Sequence, residues 1–161
     1  MEEFYQKTTD YLRSKKLDKL ILMIVKIFPF IIAIIYGVTL IHLYLSHSSL
    51  FINTVLIPLI SFSIVTLIRK IIDRPRPFIK YDFEPLYYKK EGESFPSRHT
   101  VSAISIAVAL FHVNMVIGIV VLILASLVAL SRILSGVHYP SDVIVGILIA
   151  LLVYIAVYLI N

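Results

Sequence analysis

The sequence predicts an all-α fold: a polytopic membrane helix bundle of about five transmembrane helices, preceded by an N-terminal amphipathic helix. Three observations predict it. Hydrophobic residues make up 59% of the 161-residue chain and charged residues only 16%, whereas an ordinary soluble domain is roughly 25% charged. Mean hydropathy is +0.92. The apolar residues are also gathered into runs long enough to span a bilayer, for which about 20 residues suffice. The length suits a single membrane-embedded domain over residues 1–161. The chain has no cysteine, so disulfides, thiolate metal sites and thiol nucleophiles are excluded. Its net charge of +5 points to anionic lipid as the partner in a chain this apolar, and not to nucleic acid.

The elements follow in order. Residues 1–19 read as an interfacial amphipathic segment, with Phe4, Tyr5, Tyr11 and Leu12 on one face and charges opposite. No small-residue cleavage site accompanies the first apolar run, which is therefore read as a retained span. That run, Leu20 to Leu45, forms the first span, with Lys26 snorkelling to the near interface and Pro29 within it. "SHSS" at 46–49 is a turn, and Leu50 to Ile72 form the second span. Residues 73–98 are a polar loop rich in Pro, Tyr and charge. The next apolar stretch, His99 to Leu134, would exceed about 50 Å as one helix, too long for a hydrocarbon core of about 30 Å. It must turn, and "HVN" at 112–114 is its only polar interruption. The last span covers 141–160. Gly118, Gly146 and Ala150 are small residues suited to close helix packing.

This path has a geometric consequence. The loop 73–98 lies at one membrane face, and the chain then crosses, turns at 112–114 and crosses back. Arg132, His138 and Asp142 return to the same face as Arg69, Arg76, Ser97, Arg98 and His99. Three clusters distant in sequence are therefore brought together. The first, "RKIIDRPRPF" at 69–78, offers guanidinium forks suited to phosphate oxygens, although alone it reads equally well as a cationic helix end. The second, "FPSRHT" at 95–100, places Ser97, Arg98 and His99 at a helix start, where unpaired backbone N–H groups favour anions. Taken singly it reads equally as a plain helix cap. The third, "SRILSGVHYPSD" at 131–142, sets Asp142 one helical turn after His138. An aspartate accepting from one imidazole nitrogen fixes the tautomer and leaves the other free to attack. A buried ion pair joining two helix ends is the bland reading, but intramembrane charge is functional by default.

Combined, the clusters describe a site for a tetrahedral oxyanion with two imidazoles. A metal site built on His99, His138 and Asp142 is disfavoured by the surrounding arginines. The order and spacing resemble the type 2 phosphatidic acid phosphatase superfamily, whose signatures read K-x6-R-P, P-S-G-H and S-R-x5-H-x3-D. The third is complete here from Ser131 to Asp142; the second reads PSRH, with Arg98 in the glycine place; the first carries Arg69 in the lysine place, followed by Arg76 and Pro77. Lys70 lies one residue off that register. The resemblance covers residues 69–145, the catalytic motif region.

What the resemblance implies is a metal-independent integral-membrane lipid phosphatase, without a cofactor. His138 would attack phosphorus to give a phosphohistidine, Asp142 would orient it, and His99 would protonate the leaving group and then activate water. Arg69, Arg76, Ser97, Arg98 and Arg132 would bind the substrate. The expected substrate is a phosphate monoester or pyrophosphate of a lipid: phosphatidic acid, phosphatidylglycerol phosphate or undecaprenyl pyrophosphate. A vanadate-dependent haloperoxidase-like enzyme and a non-catalytic lipid-phosphate transporter or binding protein are the alternatives. The membrane character weighs against the first and the histidine pair against the second. The expected location is the cell membrane. All 15 Lys and Arg fall in residues 7–26, 69–98 and at 132, on one side by this topology, which by the positive-inside rule is cytoplasmic. The resemblance implies an extracytoplasmic site, the expectation adopted.

Overall fold

The computed structural model describes residues 1–88 and 92–160. Lys89 and Lys90, counted among the loop cations above, lie outside the described residues. Among the described residues seven helices follow one another: α1 (Glu2–Ser14), α2 (Asp18–Leu45), α3 (Leu50–Ile71), α4 (Pro77–Lys80), α5 (Arg98–Val113), α6 (Met115–Leu134) and α7 (Pro140–Ile160). The helices α2, α3, α6 and α7 are, among the described residues, the four long and apolar enough to cross a membrane.

The fifth expected span is α5, and it differs in kind. Its 16 residues reach only about 24 Å at 1.5 Å per residue, short of a core of about 30 Å. It packs against α2, α3, α6 and α7 and so stands at the centre of the bundle. Small residues on several of its faces, Ala103, Ala107 and Ala109, are buried against these neighbours. The main core joins Ala103, Ile104, Ala107 and Leu110 of α5 to Ile32 of α2, Val121, Ala125 and Val128 of α6, and Ala150 of α7. A second cluster joins Ile57 of α3 and Ala109 to Val153 and Val157 of α7. The outward residues of the long helices, such as Phe30, Val38, Leu67 and Leu152, are exposed, as lipid-facing side chains must be.

The turn between α5 and α6 falls where the polar interruption places it. Asn114 ends α5, and its side-chain oxygen accepts from the Ile117 backbone N–H at 3.0 Å, satisfying one unpaired donor of α6. Gly118 and Gly146 allow the close approaches expected of them. A β-carbon on Gly118 would sit 2.7 Å from Phe111, and one on Gly146 3.2 Å from Val101.

The expectation for α1 needs correction. Phe4 and Tyr11 are exposed, whereas Tyr5, Thr9 and Leu12 are buried. The spacing of four and three residues puts these on one helical stripe. That stripe docks on the protein: Leu12 packs with Ile21 and Val25 of α2 and with Leu86. The helix therefore turns one face to the bundle and leaves Phe4 and Tyr11 on its outer side.

Candidate active site

The ends of α3, α5, α6 and α7 converge at one end of the bundle with the connection 72–97. Every residue expected at the site is found there, and six of the eight are buried: Arg69, Arg76, Ser97, Arg132, His138 and Asp142. Arg98 and His99 are half-buried.

His138 sits in the turn 135–139 between α6 and α7, with 1% of its surface exposed. Its Nδ1 lies 3.4 Å from Oδ2 of Asp142, which is fully buried. The carboxylate is well placed by its helix. Asp142 stands in the first turn of α7, where negative charge is favoured. Its Oδ2 accepts from the Tyr139 backbone N–H at 2.9 Å, reaching back to the start of the helix as in a capping box. Its Oδ1 accepts from Arg74 Nη1 at 2.8 Å. Asp142 is thus held from two sides while one oxygen faces the imidazole. Burial is the main reason that the His138 pKa falls to about 4; Asp142 opposes the fall, and Arg76 and Arg132 add to it. The imidazole is neutral at pH 7, the state a nucleophile requires.

The arginines divide by what they hold. Arg69, in the last turn of α3, donates to the carbonyls of Pro96 at 2.9 Å and Ser94 at 3.3 Å, and also to that of Glu93. It therefore shapes the strand of chain that delivers Ser97 to the start of α5. Lys70 is exposed and Arg69 buried, so the helix turns Arg69 to the site in the lysine place of the first signature. Arg76 follows the extended chain that leaves α3 and donates to the Val137 carbonyl at 3.0 Å. Burial lowers its pKa to about 10, with Arg69 adding to the effect, so it stays charged at neutral pH. Arg132, in the last turn of α6, donates to the Val25 carbonyl of α2 at 3.0 Å. Its own carbonyl accepts from the backbone of Val137 and His138. The Nε groups of Arg69, Arg76, Arg98 and Arg132 are buried without a hydrogen-bond partner among the described residues. Buried donors of this kind cost free energy unless an acceptor arrives, and an oxyanion supplies several.

Ser97 caps α5 from an extended conformation. Its backbone N–H donates to the Asp142 carbonyl at 3.1 Å, tying the second cluster to the third. Its hydroxyl accepts from Thr100 at 2.9 Å. Arg98 and His99 stand at the head of a groove of about 250 Å³ between α2, α3 and α5. Pro29, Ile32, Phe62 and Ile106 line the rest of it, so the groove is apolar below a polar mouth. Arg98 lies with its guanidinium carbon 5.9 Å from the centre of the Phe62 ring.

Two residues at the site were not anticipated. Arg74 bonds Asp142, donates to Ser141 Oγ at 2.8 Å and stacks on Tyr139 at 3.8 Å. The sequence shows an arginine two residues before Arg76, but its acidic partner is 68 positions away and only the fold reveals it. Tyr5 of α1 donates to the His138 carbonyl at 3.1 Å. The loop tyrosines also face partly inward: Tyr81 stacks with Tyr5 and meets Tyr139 edge-on, and Tyr88 alone of the three is exposed.

Comparison with known proteins gives the family. The model of the PAP2 superfamily matches residues 50–161, the greater part of the chain. The chain belongs to the PAP2 superfamily. Over 79 residues it is 37% identical to the undecaprenyl-diphosphatase BcrC of Bacillus subtilis (strain 168), an alignment covering 49% of this chain and 41% of that protein. Over 59 residues it is 48% identical to the bacitracin transport permease protein BcrC of Bacillus licheniformis, covering 37% of this chain and 29% of that protein. The aligned part thus spans less than half the length of these curated relatives. The crystal structure of Aquifex aeolicus LpxE matches with a TM-score of 0.76 at 26% identity, over 97% of this chain and 93% of that one. The PAP2-type phosphatidylglycerolphosphate phosphatase of Bacillus subtilis matches with a TM-score of 0.73 at 23% identity, over 98% and 82%, and shares the fold.

Proposed function

We propose that the protein is a multi-pass membrane lipid phosphatase that transfers the terminal phosphoryl group of a lipid phosphate or diphosphate to His138 and then to water. The observation that carries this reading is the buried, neutral His138 facing Asp142 among arginines with unpartnered Nε groups. Family membership and the 37% identity to an undecaprenyl-diphosphatase support it.

The residues take the following roles. Arg76, Arg132 and Ser97 hold the phosphoryl oxygens, and Arg69 adds charge while fixing the chain that carries Ser97. His138 Nε2 attacks phosphorus as the bond to the leaving oxygen breaks, and His99 donates a proton to that oxygen. Asp142 stabilises the imidazolium that develops. His99, now neutral, takes a proton from water, and the hydroxyl attacks the phosphohistidine to release phosphate and restore His138. The arginines do most of the electrostatic work, since phosphoryl transfer depends chiefly on positioning and charge. No step calls for a metal ion.

His99 is the leaving-group acid, so the groove that it heads receives the lipid side of the substrate. Its apolar walls take the start of the hydrocarbon chain. Arg98, which replaces the glycine of the second signature, stands on that same side. In a lipid diphosphate the leaving group is itself a phosphate, and Arg98 binds it; in phosphatidic acid the leaving group is an uncharged alcohol. Arg98 therefore favours diphosphates. The site faces the extracytoplasmic side in this reading: Arg69, Arg76 and Arg132 serve the phosphate and carry little topological weight. The chain lacks cysteine, so single cysteines at Lys16 and Ser49, both exposed at opposite ends, report sidedness. An impermeant maleimide added to intact cells should label Lys16→Cys and spare Ser49→Cys; the opposite pattern puts the site in the cytoplasm.

The test of activity is phosphate release in detergent with EDTA present. Undecaprenyl pyrophosphate, phosphatidic acid and phosphatidylglycerol phosphate are assayed side by side. Release from at least one of them is expected, and binding without turnover of any would defeat the reading.

A further inference from the structure

The amino-terminal helix α1 carries no signature and lies outside the stretch matched by the family model, residues 50–161. It nevertheless reaches the nucleophile. Tyr5 is 1% exposed, and its hydroxyl donates to the backbone carbonyl of His138 at 3.1 Å, across 133 positions of sequence. We propose that Tyr5 is a positioning residue for His138, and that α1 is a strap holding the catalytic turn in its reactive conformation.

The turn 135–139 is short, and its conformation decides where the imidazole points. Besides its backbone bonds to the end of α6, four contacts fix it. The Leu86 N–H donates to the Ser135 carbonyl at 3.2 Å, Arg76 to the Val137 carbonyl at 3.0 Å, and Tyr5 to the His138 carbonyl at 3.1 Å. The Tyr139 N–H donates to Asp142 at 2.9 Å. Of these four, the Tyr5 bond is the one made to His138 itself.

The tyrosine ring is in turn held in place by the turn it braces. Gly136 has φ +77, and a β-carbon there would lie 2.7 Å from the Phe83 ring. Glycine is required both by the left-handed backbone and by the close approach of Phe83. Phe83 then stacks on Tyr5 at 5.5 Å with an interplanar angle of 8°. Tyr81 stacks on Tyr5 at 6.3 Å, and Tyr139 meets it edge-on at 6.4 Å. The hydroxyl is thus aimed by three rings, one of them next to the nucleophile. Burial, with Tyr139 and Asp142 nearby, pushes the Tyr5 pKa upward, so the hydroxyl keeps its proton and remains a donor across physiological pH.

The far end of the strap is fastened separately. Arg13 donates to the carbonyls of Glu84 at 3.2 Å and Pro85 at 3.3 Å and pairs with the Glu84 carboxylate at 3.2 Å. The helix is therefore tied to the His138 turn at one end and to the loop over that turn at the other.

This inference rests on the phosphatase reading, and the two fail differently. Tyr5→Phe keeps the ring stack and removes only the hydroxyl. With the purified full chain and the best lipid substrate of the panel above, it should lower kcat by about three- to tenfold, the worth of one hydrogen bond. KM should stay near the parent's. The thermal midpoint should fall by only a few degrees, about 2–4 °C per kcal/mol in a chain of this size, leaving the variant fully folded at the assay temperature. Phe83→Leu, which unstacks the ring and leaves the hydroxyl, should lower kcat in the same way and by less. Unchanged kcat in Tyr5→Phe overturns the proposal, as does a loss that follows the fraction of folded protein or that appears in KM alone. If Tyr5→Phe is normal while His138→Ala is inactive, only the strap is wrong. If His138→Ala still turns over, the phosphatase mechanism itself is wrong.

Discussion

Residues 1–49 and residues 50–161 contribute to the same site in different currencies. The second region holds all three signatures and supplies every charged group of the proposed phosphate site among the described residues. The first region supplies no charge there; it supplies two hydrogen bonds and a wall. Tyr5 bonds the His138 carbonyl, the Val25 carbonyl accepts from Arg132, and Pro29, Ile32 and Ala33 line one side of the groove. The difference explains why a signature can be confined to one region. Groups that touch phosphate must be of fixed chemical type and spacing. Groups that orient them need only a donor, an acceptor or an apolar surface in the right place, and many sequences provide that.

The sharpest way to break the comparison is to remove charge or carboxylate in the second region. Asp142→Asn should lower kcat by about 10²–10⁴-fold, on the scale seen when the carboxylate that orients a catalytic histidine is neutralised. The measurement is initial rate in detergent at saturating lipid. Arg76→Ala should follow at about 10²–10³-fold, the usual loss on removing one transition-state donor. A fall of less than tenfold in either would put the charges of this region outside the chemistry.

Arg98→Gln sharpens the comparison within the second region. It should lower kcat/KM for a lipid diphosphate by about tenfold, the scale of one charge-assisted hydrogen bond, and leave phosphatidic acid hydrolysis nearly unchanged. Equal losses on both substrates would remove Arg98 from leaving-group recognition.

The smallest effects concern stability, where the first region should count as much as the second. Leu12→Ala opens the cluster with Ile21, Val25 and Leu86 and should cost about 2–3 kcal/mol, the low end for a buried leucine, read as a lowered thermal midpoint in detergent. The second region adds a pH dependence. His138 has a pKa of about 4 when folded and about 6.5 when exposed. Between these values the unfolded chain binds a proton that the folded chain does not, so stability falls as pH drops from 6.5 towards 4. The thermal midpoint should decline across that window, and more steeply than in His138→Gln. Equal slopes would mean that His138 is hydrated in the folded protein.

Much of this was legible from the residues alone. Hydropathy and run length predicted an all-helical membrane bundle, because lipid forces backbone groups to pair within helices. The excess length of the stretch from His99 to Leu134 required a turn, and Asn114 made one. Counting crossings then brought the three clusters to one end. The short, central α5 was less legible, since apolar content does not distinguish a helix facing lipid from one enclosed by other helices. The docking face of α1 was misjudged for a related reason. Phe4, Tyr5, Tyr11 and Leu12 look alike in hydropathy, and only the fold decides that Tyr5 and Leu12 turn inward. Arg74 and Tyr5 had no local signal at all, because each acts on a partner that lies 68 or 133 positions away.

The central claim is that His138 is the group that accepts the phosphoryl moiety. Its most direct test is phosphate release from a lipid diphosphate by the parent and His138→Ala, both purified in detergent with EDTA. The account predicts steady release by the parent and a loss of at least about 10³-fold in the variant, as for removal of other catalytic nucleophiles. Turnover by His138→Ala within tenfold of the parent would contradict it.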